Sequence, residues 1–503
     1  MPNYNTINAH DADCRYPSFL GLNQYGNETS MNDPRFAVDE KNVETFNGVM
    51  QPCASNRLLA PTLSAPIETL ALLHRRWYVG PQEEQDILIA ASGGKLYWMH
   101  PSDTEWTQVL AEEGDTEDFA SNEWSYVTYE INPEGSTASV DVLLMSNAVD
   151  GMILVRGDTK EYRAVETPKK FGVIERYAER IWGGAITEDP DTLVYSAPYD
   201  PEDWDANVDI PEDGAGDVNQ PSWDGDSFTA LKAFGSQLIA FKRTRVWRVL
   251  GTDPGEYTFK EQYGGGAPYA ATIAVDTYRI LAITDYGPVA YDGNSVTDFN
   301  KTYVEKIFER VNRSCMDKAC AVLWHGKYYV ALPVDGSAIN NAVLIYNTVE
   351  GTWLFRDDLC VESFLPGEHE LYYTSSTTPG QVWQWRENSW DVGECTAAPA
   401  KWVTPWNELG YKQITKGPFD VYLLCEVQTE PVTLYIRIQT EKKTMTKEFH
   451  VEPITAPYAS HKPKKLHFPG YCRRFRLIIE SAPESPPWRL LNGVMVVPEI
   501  ERD

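Results

Sequence analysis

The stretch LIAFKRTRVWRVLGTDPGEYTFKEQYGGGAP, residues 238–268, contains the pattern that decides the fold. Two runs of β-branched and aromatic residues are followed by a turn at Asp253-Pro254-Gly255, a third such run and three consecutive glycines, which predicts three short strands. A phosphate-binding glycine loop would lead directly into a helix, whereas here Ala267-Pro268 and another strand-like segment follow. We interpret Gly264-Gly265-Gly266 as a crossover between two β-units that requires positive φ.

Six other stretches of the chain share this pattern. Each has an apolar run, a turn rich in Gly, Asp or Asn, a second run such as KLYWM, and often a more polar third piece such as TEWTQ, PEDWD or GEYTF. Including the stretch at Leu238, these units begin at Ile87, Val142, Arg180, Leu238, Ile280, Tyr328 and Leu371. The spacing, roughly 38 to 58 residues, is typical of a four-stranded propeller blade. A single blade leaves both of its faces partly apolar, and only neighbouring blades cover them.

The sequence therefore predicts an all-β protein with a β-propeller of six to eight blades, of which seven is favoured. Two β-sandwiches in series are the rival architecture. Within a blade, we expect Val246, Trp247 and Val249 to pair in the sheet, with the Trp247 side chain packed between blades.

The predicted domain organisation has three parts. Residues 1–69 are rich in turn formers and are expected to form an extended arm that leads into a ring-closing strand. Residues 70–394 form the propeller, with one inserted helix near 301–316, where Val304, Ile307, Phe308 and Val311 recur at helical spacing. Residues 395–503 have longer strands with period-two alternation and are expected to form a β-sandwich.

The negative charge lies in the first four-fifths of the chain. The whole chain carries −29, but the part from Cys395 onward carries +3, so residues 1–394 carry −32. Affinity for DNA comes mainly from cationic contacts, so such a surface argues against tight DNA binding and suits a passage through which DNA slides. There is no apolar run of membrane-spanning length, no signal-peptide pattern and no regular cysteine spacing, which predicts a soluble, cytosolic chain without disulfides or membrane insertion.

Two charged clusters are the candidate interaction sites. The first is an acidic segment at 200–226, with the candidate residues Asp200, Glu202, Asp203, Asp205, Asp209, Glu212, Asp213 and Asp217. We expect it to line a central passage, with Ca²⁺ binding at a contact with another protein as the rival reading. The second is a basic cluster expected to contact an acidic partner surface, including the propeller of a neighbouring copy, through Lys462, Lys464, Lys465, Arg473 and Arg474.

Several segments, in order along nearly the whole chain, carry a family resemblance. They are GLN and AVDEKNVETFNGVMQP near the N-terminus, the stretch from Leu238 to Gly293, KYYVALP and NNAVLIYNTVEGTW near residue 340, and the sandwich at the end. Together they resemble the packaged-DNA stabilisation proteins, also called tail nozzle or hub proteins, of short-tailed phages.

This resemblance implies a structural virion protein that is assembled in the host cytoplasm. It implies a homo-oligomeric ring, commonly a hexamer, below the portal and adaptor. Such a ring contacts other tail proteins such as fibres, surrounds the DNA exit channel without binding DNA specifically, and helps to retain the packaged genome.

An enzyme is the less favoured interpretation. The segment Gly351-Thr352-Trp353 imitates the end of a sialidase-type repeat, but the aspartate of that repeat is missing and the segment is not repeated. A glycosidase also needs two carboxylates on one sugar, and the sequence nominates none. We therefore expect no catalytic, cofactor-binding or metal-binding residues. A propeller that binds carbohydrate or protein, or a propeller glycosidase, is the alternative to the phage role.

Overall fold

Seven small, mostly antiparallel sheets and a two-sheet sandwich make up the described part of the chain. The computed structural model describes residues 14–25, 33–59, 62–74, 86–115, 118–132, 139–219, 225–262, 265–387, 397–409, 413–427, 430–451, 464–482 and 485–500. Among these residues, no helix is long and apolar enough to cross a membrane.

Each of the seven sheets forms one blade, and chain order runs from the inner to the outer strand. Blade 1 consists of Ile67–His74, Asp86–Ser92, Lys95–Met99 and Thr107–Gln108. Blade 2 consists of Ser125–Ile131, Val140–Asn147, Gly151–Arg156 and Glu161–Val165, with Leu110–Ala111 added outside. Blade 3 consists of Val173–Tyr177, Arg180–Gly184, Thr192–Tyr195 and Gly216–Asn219. Blades 4 and 5 consist of Phe228–Phe234, Gln237–Lys242, Val246–Leu250 and Thr258–Gln262; and Ala274–Val275, Ile280–Thr284, Gly287–Tyr291 and Val296–Asp298.

Blades 6 and 7 receive their outermost strands from the N-terminal arm. Blade 6 consists of Cys320–Trp324, Lys327–Leu332, Ala342–Asn347 and Thr352–Arg356, extended by Gly21–Leu22 and Phe36–Ala37. Blade 7 consists of Val361–Pro366, Leu371–Ser375, Val382–Trp385 and the arm strand Arg57–Leu58. The arm thus supplies the outer strand of the last blade.

The seven blades close into a ring because an apolar core lies between every adjacent pair. Leu365 and Tyr372 of blade 7 are buried together with Leu70 and Leu88 of blade 1, which joins the last blade to the first. The predicted β-propeller is therefore confirmed, with seven blades.

The repeats found in the sequence correspond to particular strands. All seven repeats begin within two residues of the start of a blade's second strand. The second apolar run of each repeat forms the third strand of the same blade. The third pieces are less regular. GEYTF leads into an outer strand, but PEDWD lies in a loop, and Gly216–Asn219 is the outer strand of blade 3 instead.

The opening stretch spans blade 4 and its exit. The Glu256 amide donates to the Asp253 carbonyl at 2.9 Å, which closes the expected turn. Trp247 is half-buried and packs on the core between blades 3 and 4. Gly265 has φ +78°, and a Cβ on Gly266 would lie 2.4 Å from two backbone oxygens, so both residues need glycine at this crossover. Gly264 lies outside the described residues.

The inserted helix is shorter than the sequence predicts. The α-helix covers only Glu305–Arg310, between the 3₁₀ turns Lys301–Tyr303 and Arg313–Lys318. Val304 and Ile307 are buried in the core between blades 5 and 6, with Phe308 and Val311 packed against it. The segment therefore covers the end of that core. Two further 3₁₀ turns are Pro211–Asp213 and Ala270–Thr272.

The sandwich takes strands from both ends of the chain. One sheet contains Lys464–Phe468, Lys416–Val427, Trp488–Ile500, Val49–Pro52 and Val43–Phe46, with Cys14–Tyr16 also paired to Trp488–Ile500. The other contains Thr444–Val451, Val432–Thr440, Phe475–Ser481, Lys401–Val403 and Asp39–Lys41. The sandwich assigned to residues 395–503 thus also includes part of the N-terminal arm.

Candidate interaction surfaces

The propeller has two faces, which differ in the turns they carry. Because strands alternate in direction within a blade, the turns after the first and third strands lie on one face, which we call the acidic face. The turns after the second strands and the connections between blades lie on the opposite face. The predicted acidic segment includes the loop of residues 196–215 after the third strand of blade 3, and we call this the acidic loop. It therefore belongs to the acidic face.

The side chain of Arg180 binds the backbone of the acidic loop at both of its ends. This side chain is buried, and one guanidinium nitrogen donates to the carbonyls of Ser196 at 2.8 Å and Gly214 at 2.7 Å. The other terminal nitrogen donates to the Glu212 carbonyl, and the guanidinium lies 5.3 Å from the centroid of the Tyr195 ring. One buried cation thus holds both ends of the loop through its backbone.

Further contacts order the middle of the acidic loop. The Ala197 amide donates to the Asp203 carbonyl at 2.8 Å, and the Ala215 amide donates to the Asp205 carbonyl at 2.9 Å. Trp204 packs on Phe171 with ring centroids 5.1 Å apart. These contacts hold the backbone of the loop, which is therefore a structured element.

The candidate carboxylates of this region have different surroundings. Glu202 forms a bidentate ion pair with Arg163 of blade 2, with distances of 2.8 and 2.6 Å. Asp217 lies in the outer strand of blade 3. The others are exposed and make no ion pair with any described residue: Asp200, Asp203, Asp205, Asp209, Glu212 and Asp213. No three Asp, Glu, His or Cys side chains within the described ranges are placed to hold a metal ion together.

Exposed apolar side chains stand among these carboxylates. Tyr199, Val208 and Ile210 are 74%, 90% and 50% exposed. The Asn207 side chain accepts the amides of Asp209 and Ile210 at 3.1 and 3.0 Å, which fixes the turn that presents Val208. Composition alone draws attention to the acidic residues, whereas the apolar residues between them were not singled out.

The acidic loop lies away from the axis of its own propeller. The first strands of adjacent blades surround that axis, and the loop connects the third and fourth strands of blade 3. Its carboxylates therefore do not line the passage through a single propeller. A role at the passage of a ring of several copies stays a prediction.

The predicted basic cluster separates into two groups. Lys465 is opposite Tyr422 on the neighbouring strand, whereas Cys472, next to Arg473, is paired with Lys416. Six strand residues between 416 and 422 correspond to roughly 20 Å at ~3.3 Å per residue. The prediction of one patch is therefore wrong, because the intervening strand carries the two groups to opposite ends of the sandwich. Lys462 lies outside the described residues.

Lys464 and Lys465 are occupied within the sandwich. Lys465 forms an ion pair with Asp420 at 2.6 Å, and Lys464 donates to the His450 carbonyl. His467 also contacts Asp420, at 2.9 Å. Although burial opposes it, hydrogen bonding to Lys465 and His467 lowers the pKa of Asp420. This group is thus partly neutralised by its own domain.

The other group forms a cationic tip, which we define as Lys442, Lys443, Arg473, Arg474 and Arg476. The guanidinium groups of Arg474 and Arg476 each lie 4.9 Å from the ring of Trp406. The amides of Arg473 and Arg474 donate to the Glu441 carboxylate at 2.9 and 3.4 Å. These bonds outweigh the effect of burial and lower the pKa of Glu441. Lys442 and Lys443 were missed because they follow a different strand.

The joint between propeller and sandwich contains a buried carboxyl group that the sequence does not reveal. Glu40 is 2% exposed, and one of its oxygens accepts the Phe355 amide of blade 6 at 2.9 Å. Its other oxygen has no hydrogen-bond partner among the described residues. Burial raises the pKa of Glu40 well above its ordinary value.

Comparisons with known proteins identify no family for this chain. No family model matches it, and no curated protein matches it. Among solved structures, the crystal structure of BamB from Moraxella catarrhalis aligns over 68% of this chain and 99% of its own chain, with 11% identity and a TM-score of 0.32. A likeness this weak says nothing about what the chain does, and the propeller assignment rests on the seven sheets and their closed ring of cores.

Proposed function

We propose that this chain is a structural subunit of a bacteriophage tail, the hub or nozzle ring below the portal and adaptor. The observation that carries the proposal is the path of the N-terminal arm. Between residues 14 and 58 the arm pairs with the sandwich, blade 6 and blade 7. Such interweaving makes the propeller and sandwich one rigid building block, which suits a load-bearing ring subunit.

The charge distribution supports the same role. A ring that surrounds a DNA exit channel works best when the DNA finds few cations to hold it, because each cationic contact adds affinity. Residues 1–394 carry −32. In this proposal the subunit is not an enzyme and needs no cofactor. It forms a homo-oligomeric ring, with a hexamer favoured, contacts adaptor and fibre proteins, and resides in the virion.

The test of this proposal is binding to a purified adaptor or portal-side ring, imaged by negative-stain electron microscopy. We expect closed rings of the protein stacked coaxially on the adaptor ring. Absence of any binding to these rings, and absence of the protein from purified virions by mass spectrometry, would contradict the phage role.

The acidic loop allows a sharper test of the DNA passage. We expect replacement of Asp203, Asp205, Asp209, Glu212 and Asp213 by Asn or Gln to leave binding to the adaptor intact but to slow DNA release from assembled particles. Weak adaptor binding by this variant, or loss of wild-type adaptor binding in a chelator, would show that the loop contacts the adaptor or holds Ca²⁺ instead of facing the DNA.

A protein-binding propeller outside a phage is the second candidate. It is favoured by the exposed Tyr199, Val208 and Ile210, because apolar side chains presented on a rigid loop are typical of recognition surfaces. This function predicts a binding partner other than the adaptor ring, and the same adaptor-binding experiment separates the two.

A further inference from the structure

Among the described residues, the turns of the acidic face carry few positive charges. Within the described residues, the turns that join the first strand of a blade to its second, or the third to its fourth, contain eighteen Asp and Glu residues but only two Lys and Arg, which are Lys160 and Arg279. The opposite face also has eighteen Asp and Glu residues, but nine Lys and Arg residues accompany them. The sequence predicted acidity for the propeller as a whole, and among the described turns the two faces differ in how many Lys and Arg residues accompany the same number of carboxylates.

The cationic tip belongs to the sandwich, which joins the propeller at blade 6. The sandwich meets the end of the outer strand of blade 6, where Glu40 binds Phe355 and Lys41 pairs with Asp357 at 2.5 Å. This end of the strand leads into the connection to blade 7, which belongs to the face opposite the acidic one.

The tip is also remote from the joint. The strand Phe475–Ser481 begins beside Arg473 and Arg474, and its Ser481 hydroxyl accepts the Ala400 amide near the propeller. The six-residue rise along this strand is roughly 20 Å. The tip thus forms a free end of the sandwich, and it presents Tyr471, which is 58% exposed, beside its arginines.

We propose that the acidic face of one copy, centred on the acidic loop, binds the cationic tip of a second copy. The two surfaces match in charge, and each combines its charges with apolar or aromatic groups: the exposed Tyr199, Val208 and Ile210 on one side, and the half-buried Trp406 and exposed Tyr471 on the other. Because the surfaces differ, the contact is head-to-tail, and repeating it generates a ring if the rotation closes. The inference rests on the ring of the proposed function and names the surfaces that build it.

The experiment exchanges the charges on each surface in the full-length protein. The face variant carries Asp209→Arg and Glu212→Arg, and the tip variant carries Arg473→Glu and Arg474→Glu. Self-association is measured by sedimentation velocity between roughly 0.05 and 0.5 M salt. We expect wild-type protein to associate at low salt, and each variant alone to associate at least roughly tenfold more weakly because its two surfaces then repel each other.

Mixing the two variants provides the decisive measurement. Each face then meets a tip of opposite charge, so association should return to within roughly threefold of wild type. The matched controls are Lys464→Glu with Lys465→Glu, at the other end of the sandwich, and Glu166→Arg with Glu188→Arg, which are exposed on the opposite face. Both controls should associate like wild type, and circular dichroism confirms that all variants are folded.

Three outcomes overturn the inference. They are a wild-type protein that stays monomeric at every salt concentration, controls that weaken association as much as the face and tip variants, and a mixture that fails to recover. Binding of single-stranded DNA to the wild-type tip, lost in the tip variant while self-association is unchanged, would assign the tip to nucleic acid instead. Adaptor binding by the face and tip variants is measured as well. Because adaptor binding and self-association can each fail while the other succeeds, a failure of this inference is distinguished from a failure of the phage role.

Discussion

Arg180 is expected to be the main structural support of the acidic loop. The change Arg180→Met keeps the length and apolar stem of the side chain but removes the donors to the carbonyls of Ser196, Glu212 and Gly214. Hydrogen bonds from a charged donor contribute about 1.5–3 kcal/mol each. Removing the buried guanidinium also removes a desolvation penalty of several kcal/mol, so we expect a net loss of roughly 2–4 kcal/mol.

The effect should be concentrated in the loop. In hydrogen exchange followed by mass spectrometry, the amides of Ala197 and Ala215 should exchange at least roughly tenfold faster in Arg180→Met, because each ~1.4 kcal/mol of local stability corresponds to a factor of ten. Arg180→Lys keeps the charge but cannot reach all three carbonyls. Exchange at these two amides should therefore be faster than in the wild type and slower than in Arg180→Met. Unchanged exchange at both amides in Arg180→Met would refute this account of the loop.

The remaining predictions concern the core, the joint and the crossover. Trp182→Ala should lower the free energy of unfolding in urea by about 3–5 kcal/mol, because Trp182 is fully buried between blades 3 and 4. Trp247→Ala should lower it by less, because Trp247 is half-buried, and the reverse order would contradict this packing. Burial raises the pKa of Glu40 in the folded protein above its ordinary value of 4.5 in the unfolded chain. The contribution of Glu40 to stability is therefore fully present below pH 4.5 and is lost as the pH rises through the folded-state pKa. Glu40→Gln should therefore reduce the loss of stability as pH rises, and an identical pH profile in both proteins would contradict a raised pKa of Glu40. Gly266→Ala should cost about 1–3 kcal/mol by clash with two carbonyl oxygens, whereas the control Gly255→Ala, with open space around it, should be near neutral in thermal melting.

Local patterns in the sequence predict the middle strands of every blade. These strands are buried on both faces, so they read as short apolar runs between turn formers, and all seven repeats were found through them. The inner strands were not singled out. Val173–Tyr177, for example, mixes Glu175 and Arg176 with apolar residues, and Ala274–Val275 has only two residues. Such segments carry too little periodicity to be recognised alone.

The charged sites show a different limit. The acidic loop was found because its carboxylates are close in sequence, and local contacts hold it together. Lys464, Lys465, Arg473 and Arg474 are equally close in sequence, but a strand between them separates the pairs, whereas Lys442 joins Arg473 from another strand. Distance along the chain predicts proximity within a turn and fails across a strand, which adds ~3.3 Å per residue.

The sequence by itself determined the class of this protein, because apolar runs, turn residues and their spacing are local properties that any all-β chain must satisfy. It also determined that the propeller half carries the negative charge. Only the tertiary structure decided the pairing of the N-terminal arm with blades 6 and 7 and the sandwich, the face on which few Lys and Arg accompany the carboxylates, and the formation of the cationic tip. The pairing of the arm joins residues hundreds of positions apart, and it is selected by the packing of the whole molecule rather than by any single segment.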